Sequence, residues 1–359
     1  MDAVTTAPAA DGKAVHFTGD WREFLPIALT NLLLTIVTLG IYRFWATARQ
    51  RRYLWSRTEL IGQRLEWTGT GKEMFIGFLI VMAILIPVLL FFQFGFMALL
   101  VRGKFIAAFS ILTLIYIGII FLVGFAQFRA LRYRLSRTLW RGIRGGSNDP
   151  GWNYGGEYLG RLLLTAMTFS IITPWMATRL WNSRWNKMSF GPLDFQASLT
   201  AEGLKARWAA VYAAFAGIFA VLIAMTARME AAAQAGDRPE VPPLFALFIF
   251  IFYLAVPLLT LHWYAKFFRL AADHTRLGDL EFSFTARTRD WLMLFLGNIG
   301  LAIITLGFGI MFWGYRNWAF VIRHLDMHGE VNVSQLTQST TKAPGEAEGL
   351  ADAFDIGAI

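Results

Sequence analysis

The chain contains no cysteine. Disulfide cross-links and thiolate chemistry are therefore excluded, although this absence does not fix the compartment. Charge is scarce as well: Asp, Glu, Lys and Arg make up 16% of the 359 residues, against roughly a quarter in soluble domains. Residues 1–20 lack a basic stretch followed by an apolar one, so no cleavable signal peptide is expected. In four places charge is missing altogether, over 28 residues at Met74–Val101, 24 at Phe105–Phe128, 20 at Trp208–Ala227 and 22 at Leu244–Ala265. About 20 helical residues cross a hydrocarbon core about 30 Å thick. These runs predict four transmembrane helices. What is abundant agrees: 56% of residues are hydrophobic, with 32 Phe and 14 Trp.

One block occurs three times, at 19–40, 155–174 and 288–307. The acidic residues Glu23, Glu157 and Asp290 align at spacings of 134 and 133 residues, and an aromatic follows each: Phe24, Tyr158, Trp291. Asn31 aligns with Asn298, with Thr165 between them, and Gly40, Pro174 and Gly307 align near the ends. So regular a period marks a repeated architecture. The blocks are apolar, and hydropathy alone would make them three further spans. With seven spans, 18 Lys and Arg face one side and 14 the other. If each block enters and leaves on one face, the division becomes 28 against 4, and basic residues collect on the cytoplasmic side of a membrane. The breaker residue comes some 16 or 17 residues after each acid, too early for the arm before it to span. The expectation is three re-entrant helical blocks turning at Gly40, Pro174 and Gly307. Broken backbone at membrane depth needs cover, so the turns should lie within a protein bundle flanked by the four long helices.

Six short alternating runs read as strands: Val15–Thr18, Leu65–Thr68, Trp152–Tyr154, Leu193–Gln196, Leu280–Phe284 and Val331–Ser334. They can pair only if they share a side, which the re-entrant topology provides. The basic, aromatic stretches after the blocks suggest interfacial helices with Arg49, Arg51, Arg52 and Arg184 at lipid headgroups. The expected fold is a polytopic α-helical membrane protein with a pseudo-repeat. It has four long transmembrane helices in two hairpins (74–128 and 208–265), three re-entrant or kinked blocks and a small cytoplasmic β layer. A single integral membrane domain at 15–334 would lie between disordered segments, 1–14 and 335–359, with the N-terminus cytoplasmic.

Phe17-x-Gly19 followed by Glu23-Phe24, the run Thr38-Leu39-Gly40-Ile41-Tyr42-x-x-Trp45, Arg52-Tyr53 and Thr68-Gly69-Thr70-Gly71-x-Glu73 resemble the YjgN-like family of bacterial inner-membrane proteins. The resemblance runs from about residue 15 to 335. It implies an inner-membrane location and no established activity. The middle block departs from the pattern, with Thr173-Pro174 where the other two have Leu-Gly; any direct role of the turn would be lost there.

Chemistry is sparse. His324 and His328 lie four apart around Asp326, without a third strong ligand nearby, so no metal is expected. The Thr68–Glu73 run lacks the spacing of a phosphate loop. Glu23, Glu73, Glu157 and Asp290 read as helix-start acids that complement the helix dipole. No carboxylate lies in the four long helices, which counts against proton-driven transport. Asn31, Thr35, Thr38, Thr165, Asn298 and Thr305 are candidate pathway residues or, equally, packing polar groups that bond between helices. No catalytic residue and no cofactor is expected, and the chain does not read as an enzyme. The leading functional expectation is a passive channel or carrier for a small solute or lipid. The alternative is a non-catalytic scaffold that binds partners or anionic lipid through its cytoplasmic face. Membrane lipids are the expected partners and a homo-oligomer is compatible with the sequence. Nucleic acid is not expected, because membrane topology explains the net charge of +9.

Overall fold

The computed structural model describes residues 4–6, 13–236, 243–332 and 336–341. Short and long helix pairs alternate, and β-strands separate them. After β1 (Val4–Thr6), β2 (Val15–Phe17) leads into the first short pair, α1 (Trp21–Val37) and α2 (Arg43–Ser56). The strands β3 (Thr58–Leu60) and β4 (Gln63–Trp67) follow, then a long pair. Its first arm is α3 (Gly71–Leu90), continued through a wide turn into α4 (Phe96–Val101), and its second is α5 (Phe105–Arg137). β5 (Thr138–Trp140) and β6 (Ile143–Gly146) precede the middle short pair, α6 (Trp152–Met167) and α7 (Thr173–Trp185). β7 (Ser189–Phe190) and β8 (Leu193–Ala197) precede the second long pair, α8 (Lys205–Gln234) and α9 (Pro243–Asp273). β9 (Thr275–Leu277) and β10 (Leu280–Phe284) lead to the third short pair, α10 (Thr288–Ile304) and α11 (Trp313–His324). β11 (Leu325–His328) and β12 (Glu330–Asn332) come last.

Strands β2 to β11 form one ten-stranded antiparallel meander in which every strand pairs with its neighbour in sequence. Two-residue turns with positive φ, Ile61-Gly62 and Arg141-Gly142, suit the twist of tight hairpins. The meander curls until its ends meet. There the Ala14 N–H donates to Asp326 Oδ1 at 3.0 Å, and the Lys13 ammonium donates to the Arg323 carbonyl. A side chain thus bridges the seam of a near-barrel where a backbone ladder would otherwise run. Its interior is a packed apolar core that includes Val15, Trp140, Ile143, Phe190, Leu280 and Met327, with Phe128 and Tyr154 among its helical members.

Because each strand hairpin joins two helices, every helix pair leaves the sheet and returns to it. Four helical segments are long and apolar enough to cross a membrane: Gly71–Val101, Phe105–Arg137, Glu202–Gln234 and Leu247–Asp273. Little of their apolar surface is buried, and no extensive contact joins the two long pairs among the described residues. They stand as separate arms rather than as a closed bundle.

Several expectations need correction. Trp152–Tyr154 is the first turn of α6, not a strand; Gly151 at φ 91° redirects the chain into the helix. The strand of that region is β6, whose two glycines hide the alternating pattern. Of Val331–Ser334, the described part ends at Asn332 and pairs with β1 outside the main sheet; Val333 and Ser334 lie outside the described residues. The terminal segments are partly ordered. Val4–Thr6 is a strand, and Gln338 donates to the Gly142 carbonyl and accepts from the Arg144 N–H. The rest of the expected disordered tails lies outside the described residues.

Candidate functional site

The three short pairs turn in the same way. α1 closes with Leu39 N–H on the Ile36 carbonyl and Gly40 N–H on the Thr35 carbonyl. The middle turn has Phe169 on Ala166 and Ser170 on Thr165, and the third has Leu306 on Ile303 and Gly307 on Ala302. These paired bonds are a Schellman closure, which satisfies carbonyls that a helix end leaves open. A threonine sits at each C-cap: Thr38, Thr168 and Thr305. Thr38 and Thr305 donate to a carbonyl one turn back and accept a backbone N–H from the far side of the turn, that of Tyr42 or Gly309. Each turn thus closes these backbone groups within its own hairpin, and in the middle one the Ser170 carbonyl also accepts from the Trp208 indole.

The residue after each cap is bulky, apolar and left-handed: Leu39 at φ 50°, Phe169 at 49° and Leu306 at 51°. Glycine would fit there without the penalty of roughly 1–2 kcal/mol that a side chain incurs. Their side chains are 94%, 80% and 90% exposed. The turns are therefore not enclosed by a helix bundle, as the sequence had suggested. Gly40 and Gly307 do occupy the turn, at φ 91° and 94°. Pro174 does not: Ser170 holds the equivalent place at φ 67°, and Pro174 sits in the first helical turn of α7. A ring locked near φ −65° cannot take a left-handed position.

The candidate polar residues are held within their own hairpins. Asn31 Nδ2 donates to the Ala46 carbonyl, Thr35 to the Asn31 carbonyl and Thr165 to the Arg161 carbonyl. Asn298 donates to Asn317 Oδ1 and accepts from Arg316 Nε at 2.7 Å. The cavity of about 350 Å³ beside Asn298 is lined mainly by apolar groups, among them Leu261, Trp291 and Leu294.

Glu23, Glu73 and Asp290 lie in the first turns of α1, α3 and α10. Glu23 meets Arg57 at 2.7 Å. Glu73, in the first turn of α3, accepts from the Tyr133 hydroxyl and Arg137, both at 2.8 Å. Asp290 accepts from the Arg287 N–H in a capping box. Glu157 lies deeper in α6, because that helix starts at Trp152. It pairs with Arg161 at 2.6 Å and accepts from the Ser183 hydroxyl. Burial raises its pKa, but Ser183 and Arg161 outweigh that and hold the carboxyl below its ordinary value.

Of the four headgroup candidates, Arg49 and Arg52 are exposed on α2. Arg51 is instead buried, its guanidinium 5.0 Å from the Trp67 ring. Arg184 turns inward too, beside Trp181 and facing Tyr154, Tyr264 and Arg134. Guanidinium groups stack well on aromatic faces, which is how the interleaved sequence places two of its four arginines inside.

Sequence reasoning missed a set of tryptophan–threonine locks. Trp55 Nε1 donates to Thr138 Oγ1 at 2.8 Å, Trp181 to Thr275 at 3.1 Å and Trp318 to Thr58 at 2.9 Å. Each threonine also donates to the carbonyl four residues back, at the end of the preceding helix. A threonine at a helix-to-strand boundary was readable, but not its indole partner 83 to 260 residues away.

Four helices long and apolar enough to cross a membrane, carried on a near-closed ring of short strands, mark the chain as a membrane protein. The chain belongs to a family described as "Bacterial protein of unknown function (DUF898)", whose model matches residues 13–353. It is 35% identical over 131 residues to the inner membrane protein YjgN of Escherichia coli K12, covering 36% of this chain and 29% of that one. With its Salmonella typhimurium counterpart it shares 35% identity over 95 residues, covering 26% of this chain and 24% of that protein. The matched regions thus span less than a third of these curated relatives. No solved structure matches.

Proposed function

We propose that the protein is a multi-pass inner-membrane scaffold without catalysis of its own. Two transmembrane hairpins anchor the β ring at the cytoplasmic surface, with the N-terminus on that side. The three short pairs are re-entrant, enter the cytoplasmic leaflet alone and present basic helices to anionic lipid. The observation that carries this reading is the level of the turns. Phe44 and Trp45, just past the first turn, pack on Phe75 and Phe78 in the first two turns of α3. In the middle pair, Trp208 in the first turns of α8 donates to the Ser170 carbonyl at 2.8 Å. Two helical turns rise about 11 Å, well short of a core about 30 Å thick. Turns that close their own backbone and expose Leu39, Phe169 and Leu306 suit insertion into acyl chains.

The channel or carrier reading has less support. Among the described residues, its polar groups bond within single hairpins, apart from the buried Asn31 Oδ1, which lacks a partner, and no extensive contact joins the two long pairs.

The test uses the natural lack of cysteine. His16→Cys should be labelled by a membrane-impermeant maleimide only from the cytoplasmic side. Leu39→Cys, Phe169→Cys and Leu306→Cys should resist labelling from both sides and be quenched by lipids labelled near the headgroup. Periplasmic labelling of any of the four overturns the reading.

A further inference from the structure

The first and middle short pairs meet the next long helix through different links. Three residues, 68–70, join β4 to α3, whereas seven, 198–204, join β8 to α8. The longer link contains a 3-10 turn at Glu202–Leu204. It leaves a cavity of about 620 Å³ between α6, α7 and the start of α8. In the first pair that space is filled: Gly71 packs so closely on Trp45 that an added Cβ would lie 2.7 Å from the Trp45 Cα.

The cavity is lined by Arg161, Arg179 and Lys205, with the carboxylates Glu157 and Glu202 and the Thr200 hydroxyl among its other polar walls. Arg161 is engaged by Glu157. Arg179 and Lys205 are exposed and form no ion pair among the described residues; the Lys205 ammonium lies 5.3 Å from the Trp175 ring. The start of α3 has its cap in Thr70 and its acid in Glu73, whereas α8 has no side-chain cap and continues directly from the 3-10 turn that carries Glu202. Exposed Trp175 lines the cavity, and Phe169 and Ile171 in the turn that precedes α7 are exposed apolar side chains as well.

We propose that this cavity binds the phosphate headgroup of an anionic phospholipid. Arg179 and Lys205 hold the phosphate, and the acyl chains lie along Phe169, Ile171 and the flank of α8. A cationic pocket with exposed apolar side chains matches a molecule that is anionic at one end and hydrocarbon at the other, which a free phosphate is not. The proposal rests on the scaffold reading, which sets the middle turn at the cytoplasmic leaflet.

The experiment uses the full chain in nanodiscs and native mass spectrometry with dioleoylphosphatidylglycerol against dioleoylphosphatidylcholine. Arg179→Gln with Lys205→Gln should weaken retention of phosphatidylglycerol about thirtyfold, the loss expected of two basic residues near a lipid surface. The charge-matched control Arg64→Gln with Arg276→Gln, exposed on strands of the ring and outside the basic helices, should leave it within about twofold, as only the diffuse field changes. Arg179→Lys with Lys205→Arg should keep the preference and separates a lost site from a lost fold. Equal retention in the test and control pairs overturns the site. Displacement of the lipid by inorganic phosphate overturns the lipid source. If these fail while His16→Cys is still labelled from the cytoplasm, the site falls and the scaffold stands; periplasmic labelling removes both.

Discussion

The first and middle helical hairpins share a turn and differ at the junction with the next long helix. In the first, a three-residue link holds α3 against α2, and glycine on tryptophan leaves no space. In the middle one, four more residues stand α8 off and open a polar cavity. The difference teaches that connector length decides whether such a junction is packed or hollow. The packed junction carries its acid on the spanning helix, as Glu73. At the hollow one the nearest carboxylate pair is Glu157–Arg161 on the short helix.

The largest test of this contrast is steric. Gly71→Leu should destabilise the fold by about 3 kcal/mol, because overpacking against backbone cannot relax. Gly203→Leu should cost much less, since its added Cβ meets only the tip of Leu270. Thermal unfolding in detergent measures both, and equal losses would break the comparison. Next in size are the acids. Glu73→Ala removes the acceptor of Tyr133 and Arg137, whose side chains pack against a carboxylate only 14% exposed, and should cost about 2 kcal/mol. Glu157→Ala, at 28% exposure, should cost less than about 1 kcal/mol. Thr58→Val leaves the Trp318 indole without its acceptor and should cost about 1 kcal/mol, visible as a small drop in melting temperature.

Acid sharpens the same contrast. The Glu157 carboxyl is held below its ordinary value, so its folded state binds the proton less readily than its unfolded state. Its contribution is present above the unfolded pKa, about 4.5, and is lost as pH falls through the depressed folded value. The fall in melting temperature as pH drops through this range should be steeper in the parent than in Glu157→Gln. The smallest effect is at the turns: Leu39→Gly and Phe169→Gly relieve left-handed strain of about 1 kcal/mol, and should slightly stabilise the protein in detergent while weakening bilayer quenching.

The long helices were legible because charge-free runs of that length have one explanation. The position of the first and third turns was legible because glycine marks it. The middle turn was not, since Ser170 takes the left-handed place and Pro174 merely drew the eye. The partner strands β3, β5, β7, β9 and β11 run to two to four residues, too few to show a period. Arg51 and Arg184 read as surface charges because sequence alternation cannot tell an arginine at the phosphates from one stacked on an indole. The cavity was invisible for a different reason: it is made by the length of a connector, not by the identity of its residues.

The seam at Asp326 has a consequence for biogenesis. Each strand pairs with the one synthesised just before it, so the meander can zip up as the chain emerges, one hairpin per inserted helix pair. The two N-terminal strands must wait: β1 for β12, and β2 for a partner at its outer edge until Asp326 appears 312 residues after Ala14; an open strand edge invites wrong pairing. A chain stopped before its last strands would therefore keep an open strand edge that closure of the ring removes.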